Sequence, residues 1–86
     1  MSVLHQIFSA TPAVLQQVIS LATSDDCILL LGDGCYLAGT ACDDRIRARA
    51  VDAEVRGLHL PAHTAALTDN EWVSLTLSCS KTLSWF

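Results

Sequence analysis

Charged residues are scarce in this chain of 86 residues. Only 16% of its residues are charged, whereas 51% are hydrophobic, and five basic residues stand against nine acidic ones. Soluble domains usually carry about 25% charged residues, so we expect an apolar surface that is covered by other chains. The net charge of −4 argues against direct binding to nucleic acid, which requires a basic surface to replace the counterions of the phosphates.

Long apolar segments are also missing. No stretch reaches the roughly 18 consecutive apolar residues that a membrane-spanning helix requires, so we predict no membrane partner. The first residues lack the basic region and long apolar core of a signal peptide, which favours a cytoplasmic location. In that compartment the four cysteines are expected to be free thiols.

The motifs that identify common metal and nucleotide sites are absent. No CxxC pair occurs among the cysteines, which argues against a structural metal and against a thioredoxin-like redox site. The turn Gly32-Asp33-Gly34 is not a GxGxxG fingerprint, and no GK[ST] follows it. We therefore expect neither a metal nor a cofactor.

The first third of the chain has the pattern of a strand, a helix and a strand, over residues 2–7, 12–22 and 27–31. Thr11 and Pro12 suit the start of the helix, whose apolar residues recur at helical spacing. The run CILLL is apolar at every position, which is typical of a strand buried on both faces of a parallel sheet. The length of the chain limits it to one domain over residues 1–86.

The remainder of the chain is less regular. Thr68 and Glu71 match a capping box, in which the hydroxyl and the carboxylate each bind a backbone N–H at a helix start. We predict, in order, a short helix over 35–41, a second helical piece from Asp43 or Asp44 to about residue 50, a third strand over 54–60, and a helix from Trp72 to about residue 80.

Cys35 is the first candidate for chemistry. It follows the Gly-Asp-Gly turn at the carboxyl end of a predicted strand, where open α/β sheets bind ligands. A helix N-terminus lowers the pKa of a thiol, whereas the neighbouring Asp33 raises it. Three interpretations stay open: a thiol that accepts a persulfide by nucleophilic attack, a ligand-binding module at this edge, and a turn without chemistry. Cys79 is a second candidate thiol.

Three blocks of the chain resemble the TusB/DsrH family, one of the DsrE/DsrF/DsrH-like sulfur-relay subunits. They are VLHQIFSATP, ILLLGDGCYLA and WVSLTLSCSKTLSW, and they span nearly the whole chain in the order of the family. Cys79 falls where some relatives have cysteine and others histidine. The residues assigned to the motif or to an interface are Leu4, His5, Asp33, Gly34, Tyr36, Trp72 and Trp85.

The resemblance implies a small three-layer α/β domain, with a mostly parallel sheet of three to five strands and helices on both faces. It implies a cytoplasmic heterohexamer with TusC-like and TusD-like sister subunits, which passes persulfide sulfur to a TusE/DsrC-like carrier. The sulfur then serves wobble 2-thiouridine synthesis in tRNA or, for a DsrH-like subunit, sulfur oxidation. The family's sulfur-carrying cysteine belongs to the TusD-like sister, so no catalytic residue is expected here.

Two further expectations follow from the resemblance. The segment between Pro61 and Trp72 is shorter than the family pattern, which predicts that the fourth strand is reduced or missing. A subunit that buries apolar surface against its sisters is also expected to self-associate or aggregate when it is isolated.

Overall fold

Strands and helices alternate along residues 2–86, which are the residues described by the computed structural model. The elements, in chain order, are β1 (Val3–Ile7), α1 (Pro12–Leu21), β2 (Cys27–Leu30), a 3-10 helix (Gly32–Leu37), β3 (Ile46–Arg49), α2 (Ala50–Val55), β4 (Ala65–Leu67), α3 (Asp69–Ser78) and β5 (Lys81–Trp85).

The five strands form one sheet in the order β4-β3-β2-β1-β5, and every neighbouring pair is parallel. β1 therefore lies between β2 and β5, and the connection through α3 runs from one edge of the sheet to the other. This architecture confirms the α/β fold with a parallel sheet and helices on both faces. None of the helices in residues 2–86 is long and apolar enough to cross a membrane.

One face of the sheet carries the larger part of the core. Ile28 and Leu30 of β2 point to this face and pack, fully buried, against Leu15 and Val18 of α1. Each such side chain contributes about 1.5–3 kcal/mol by leaving water. α1 buries Leu15 and Val18 and leaves its glutamines exposed, which confirms the predicted helical periodicity of this segment.

The opposite face has a thinner cover. Leu4, Leu29 and Leu31 form its buried centre, and Trp72 and Leu75 of α3 pack against them while remaining partly exposed. No residue of α3 is fully buried. The capping box is present, because the Thr68 hydroxyl accepts from the Glu71 N–H and the Glu71 carboxylate accepts from the Thr68 N–H.

Three elements in the middle of the chain differ from the sequence predictions. The short helix predicted over 35–41 is a 3-10 helix that begins and ends earlier, over Gly32–Leu37. The segment predicted as a second helical piece is strand β3, in which Ile46 and Ala48 are buried and Arg47 and Arg49 face the other side. The segment predicted as a third strand over 54–60 instead contains the end of α2. The fourth strand, which was predicted to be reduced or missing, is present as β4 but is only three residues long.

The end of α2 is fixed by a glycine. Gly57 has a φ of +65°, and its N–H donates to the Glu54 carbonyl while the Leu58 N–H donates to the Ala53 carbonyl. These two hydrogen bonds form a Schellman motif, which ends a helix with a left-handed residue that is usually glycine. The chain then turns so that Leu58 and Leu60 pack against the first core face.

Candidate functional site

The turn that follows β2 is held tightly against the end of β1. The Leu31 N–H donates to the Ile7 carbonyl over 2.9 Å, and the Gly34 N–H donates back to the Leu31 carbonyl over 2.9 Å. A Cβ atom on Gly34 would lie only 2.1 Å from the Ile7 carbonyl oxygen. Gly34, a motif residue, is therefore required by the close approach of two backbone segments.

The Cys35 thiol lies beneath this turn and is closed to solvent. The residue is 1% exposed, and its thiol donates to the Leu30 carbonyl over 3.4 Å. Burial, followed by the nearby Asp52 carboxylate, raises the pKa of Cys35 to about 11, although Arg56 and Arg49 act in the opposite direction. A thiol in this state carries almost no thiolate near neutral pH and is a poor nucleophile.

Asp33 and Tyr36 both contact the Arg56 side chain on the surface near this turn. The Arg56 guanidinium bonds the Asp33 carboxylate through Nε and Nη2, at 3.2 and 3.0 Å, and lies 6.0 Å from the centre of the Tyr36 ring. The Asp33 side chain is largely exposed, so this ion pair contributes little to stability. The contact does link the 3-10 helix to α2.

Arg49 forms a second ion-pair cluster where β3 ends. It binds the Asp69 carboxylate in bidentate fashion, at 2.8 and 3.1 Å, and the Asp52 carboxylate at 3.1 Å. Its guanidinium carbon also lies 5.5 Å from the centre of the Trp72 ring. Asp52 in turn accepts the Gly32 N–H over 2.8 Å. The carboxyl edge of the sheet is thus closed by paired charges rather than left open as an anion site.

His5 and Trp85 meet in the interior, together with Asp26, which the sequence reasoning did not single out. The indole N–H of Trp85 donates to His5 Nδ1, so His5 Nε2 carries the proton that faces the Asp26 carboxylate; both distances are 3.3 Å. Asp26 also accepts the N–H groups of Val3 and Thr23. Burial raises the pKa of Asp26, but these hydrogen bonds outweigh it and hold the pKa at about 2.

This triad connects three strands rather than forming a catalytic dyad. His5 lies in β1, Trp85 in β5, and Asp26 directly before β2. His5 and Asp26 are both buried, and the two nitrogens of the imidazole are already engaged. The hydrogen bond between Trp85 and His5 thus satisfies a polar group of each residue inside the domain.

The remaining candidate residues lie on the second face, beneath α3. Leu4 is fully buried there, and Trp72 and Cys79 pack against it with partial exposure. Cys27 joins the same cluster, where burial and then the nearby Cys79 raise the pKa of its thiol. No sequence motif points to this pair, because the two cysteines are far apart along the chain.

Several large apolar side chains are exposed on the outer surface. On α3, Val73 is 58% exposed and Leu77 is 80% exposed, and together with Trp72 and Thr76 they line a shallow groove of about 230 Å³. Phe86, which is 86% exposed, stacks on Phe8 with ring centres 5.1 Å apart. We call the groove on α3 the α3 groove.

Within the part of the chain that the structure describes, His, Cys, Asp and Glu side chains form no cluster of three or more that could hold a metal ion. Comparison of the chain with protein-family models and with curated proteins found no match. The TusB/DsrH resemblance stays a prediction from the sequence motifs.

Proposed function

We propose that this chain is a TusB-like structural subunit of a cytoplasmic sulfur-relay complex. In this role it binds TusC-like and TusD-like sister subunits, and the complex passes persulfide sulfur to a TusE/DsrC-like carrier. The observed α/β domain agrees with the fold that the resemblance implies. Leu4, His5, Gly34 and Trp85 all have contacts that stabilise the domain, as expected for a subunit that does no chemistry itself.

The observation that carries this proposal is the exposed apolar surface of α3. Val73 and Leu77 lie on the side of the helix that faces away from the sheet, where they contribute nothing to the core of their own domain. Apolar side chains in this position lower the free energy when another chain covers them, at about 25 cal/mol per Å² of apolar surface. A subunit interface on α3 would explain why these apolar side chains are exposed in the isolated chain.

The state of Cys35 supports a structural role over the catalytic alternative. A cysteine that accepts a persulfide must expose its sulfur and ionise readily. The Cys35 thiol is inaccessible and its pKa is raised to about 11. Incubation of the folded chain with a persulfide donor, followed by mass spectrometry, is expected to leave Cys35 unmodified; an added sulfur on Cys35 would support the enzyme instead.

The oligomeric state tests the proposal directly. The chain purified alone is expected to aggregate or self-associate, whereas co-expression with TusC-like and TusD-like subunits should give one monodisperse complex by size-exclusion chromatography with light scattering. A lone chain that runs as a stable monomer and does not co-purify with these sisters would contradict the proposal.

Two matched variants locate the interface. Leu77→Asp places a charge on the α3 groove, and Val55→Asp places the same charge on α2, where Val55 is 76% exposed. Both positions lie in the last turn of their helices, so the effects on helix stability are similar. We expect Leu77→Asp to weaken the complex by at least about tenfold and Val55→Asp to leave it intact.

The destination of the sulfur is tested in the cell. Deletion of the coding sequence is expected to abolish 2-thiouridine in tRNA, measured by mass spectrometry of digested nucleosides, and the wild-type chain should restore it. Unchanged 2-thiouridine together with impaired oxidation of sulfur compounds would instead assign the chain to the DsrH-like role.

A further inference from the structure

Two cysteines that are distant in sequence share one site on the second face of the sheet. Cys27 begins β2, and Cys79 follows the last residue of α3. Both pack against the cluster around Leu4, both are partly exposed, and Cys79 is close enough to contribute to the raised pKa of Cys27. Two partly accessible thiols in one small cluster meet the first requirement for a disulfide.

The parallel sheet produces this meeting. Leu4 of β1 pairs with Cys27 on one side and with Thr82 of β5 on the other. The Ser80 N–H donates to the Ser2 carbonyl over 2.9 Å, which brings the end of α3 to the start of β1. Cys79 therefore arrives at the same end of the sheet as Cys27, on the face that α3 covers.

α3 is the helix that such a bond would hold. It has no fully buried residue, and it contacts the sheet through the partly exposed side chains of Trp72, Leu75 and Cys79. Helices with few buried apolar contacts open more readily than the rest of a domain. A covalent link at Cys79 would fix the end of α3 to β2.

We propose that Cys27 and Cys79 form a redox-active dithiol that reacts with small-molecule disulfides and closes to a reversible disulfide, which fixes α3 to the sheet. This inference does not depend on the proposed function. In a reducing compartment such a bond forms transiently and follows the redox state of the thiol pool.

The reaction is a double thiol–disulfide exchange. The thiolate of Cys79 attacks one sulfur of the small disulfide, whose S–S bond breaks and releases one thiolate, which takes up a proton. Cys27 then loses its proton and attacks the Cys79 sulfur of the mixed disulfide, and the second small thiolate leaves and is protonated. The two protein thiols lose two electrons and two protons, and the small disulfide is reduced to two thiols.

The surroundings of Cys27 are consistent with it acting second. Burial, followed by the neighbouring Cys79, raises the pKa of Cys27, while the Arg47 guanidinium acts in the opposite direction. A thiol with a raised pKa is a slow first nucleophile in solution. Once Cys79 carries the mixed disulfide beside it, however, the attack is intramolecular and benefits from a high effective concentration.

The experiment oxidises the folded full-length chain with oxidised glutathione, blocks the remaining thiols with an alkylating reagent, and cleaves before aspartate. This cleavage separates Cys27, in fragment 26–32, from Cys35 and Cys42, in fragment 33–42, and from Cys79, in fragment 69–86. We expect a cross-linked species of fragments 26–32 and 69–86, which disappears after reduction. A chain without this cross-link, or with cross-links only between other fragments, contradicts the proposal.

Thermal unfolding provides the second measurement. The disulfide closes a loop of about fifty residues, so the oxidised chain is expected to melt on the order of 10 °C higher than the reduced chain. Cys27→Ser and Cys79→Ser should each abolish the cross-link and the shift, whereas Cys42→Ser, at an exposed cysteine, should keep both. A cross-link that forms without a rise in melting temperature would contradict the fixing of α3.

Discussion

Replacement of Gly34 by alanine is expected to destabilise the domain, because the added methyl group meets backbone rather than a movable side chain. The new Cβ would lie 2.1 Å from the Ile7 carbonyl oxygen and 3.5 Å from the Ser9 carbonyl oxygen. The turn after β2 would have to move away from β1 by about 1 Å to reach an ordinary contact distance. That movement stretches the hydrogen bond from the Leu31 N–H to the Ile7 carbonyl, which is 2.9 Å long.

The size of the effect follows from three contributions. Overpacking at a fixed site costs about 1–3 kcal/mol, and a buried hydrogen bond that is lost without replacement costs about 1–3 kcal/mol. Alanine also lowers the conformational entropy of the unfolded chain, which offsets about 0.4–1 kcal/mol of the destabilisation. The net loss is about 3 kcal/mol, a large fraction of the about 4–13 kcal/mol expected for a domain of this size.

Urea unfolding and thermal scanning measure this loss, with Gly39→Ala as the control. A Cβ on Gly39 has no heavy atom within 4 Å, and its φ is not positive, so that substitution should change stability by no more than about 0.5 kcal/mol. We expect the melting temperature of Gly34→Ala to fall by about 12 °C or more. Equal stability of the two variants would refute the close approach of β1 and the turn.

Three further predictions concern the hydrogen bonds of the fold. The pKa of Asp26 is about 2 in the folded chain, below its ordinary value of about 4, so ionised Asp26 stabilises the domain above about pH 4 and this stabilisation is lost as the pH falls towards 2. Urea unfolding at a series of pH values should show the decline in the wild-type chain, and Asp26→Asn should remove it. Thr68→Ala should cost about 1 kcal/mol in urea unfolding and Thr68→Ser should restore most of it. Trp85→Phe keeps an aromatic side chain but removes the indole N–H that donates to His5 Nδ1, so it should cost at least about 1–3 kcal/mol by the same assay. An unchanged stability would contradict the triad.

The elements that sequence reasoning placed correctly carry their own local signals. α1 has an apolar stripe and a proline in its first turn, α3 begins at a capping box, and β2 is an unbroken apolar run between turn residues. Each signal acts over a few neighbouring residues and does not depend on the remainder of the fold. The parallel character of the sheet followed from β2 in the same way, since a strand that is apolar at every position needs cover on both faces.

The errors lie between residues 43 and 60, where local signals pointed to the wrong period. Ile46, Arg47, Ala48 and Arg49 alternate strictly, which is the pattern of a strand with one buried face. The prediction instead took Asp43 or Asp44 as the start of a helical piece. Arginines are tolerated on the second face because α3 covers it thinly and Asp52 and Asp69 pair with Arg49. The strand predicted over 54–60 includes Gly57, which instead terminates a helix.

The reactivity of the candidate thiols could not be predicted from the sequence. Cys35 looked reactive because it follows a glycine turn at a strand end, yet the same turn packs so closely against β1 that it seals the thiol from solvent. Cys27 begins a buried strand, yet it packs against the same cluster as Cys79 on the face that α3 covers. Reactivity in both cases depends on which segments the sheet brings together, so the spacing of cysteines along the chain identifies neither the shielded thiol nor the pair.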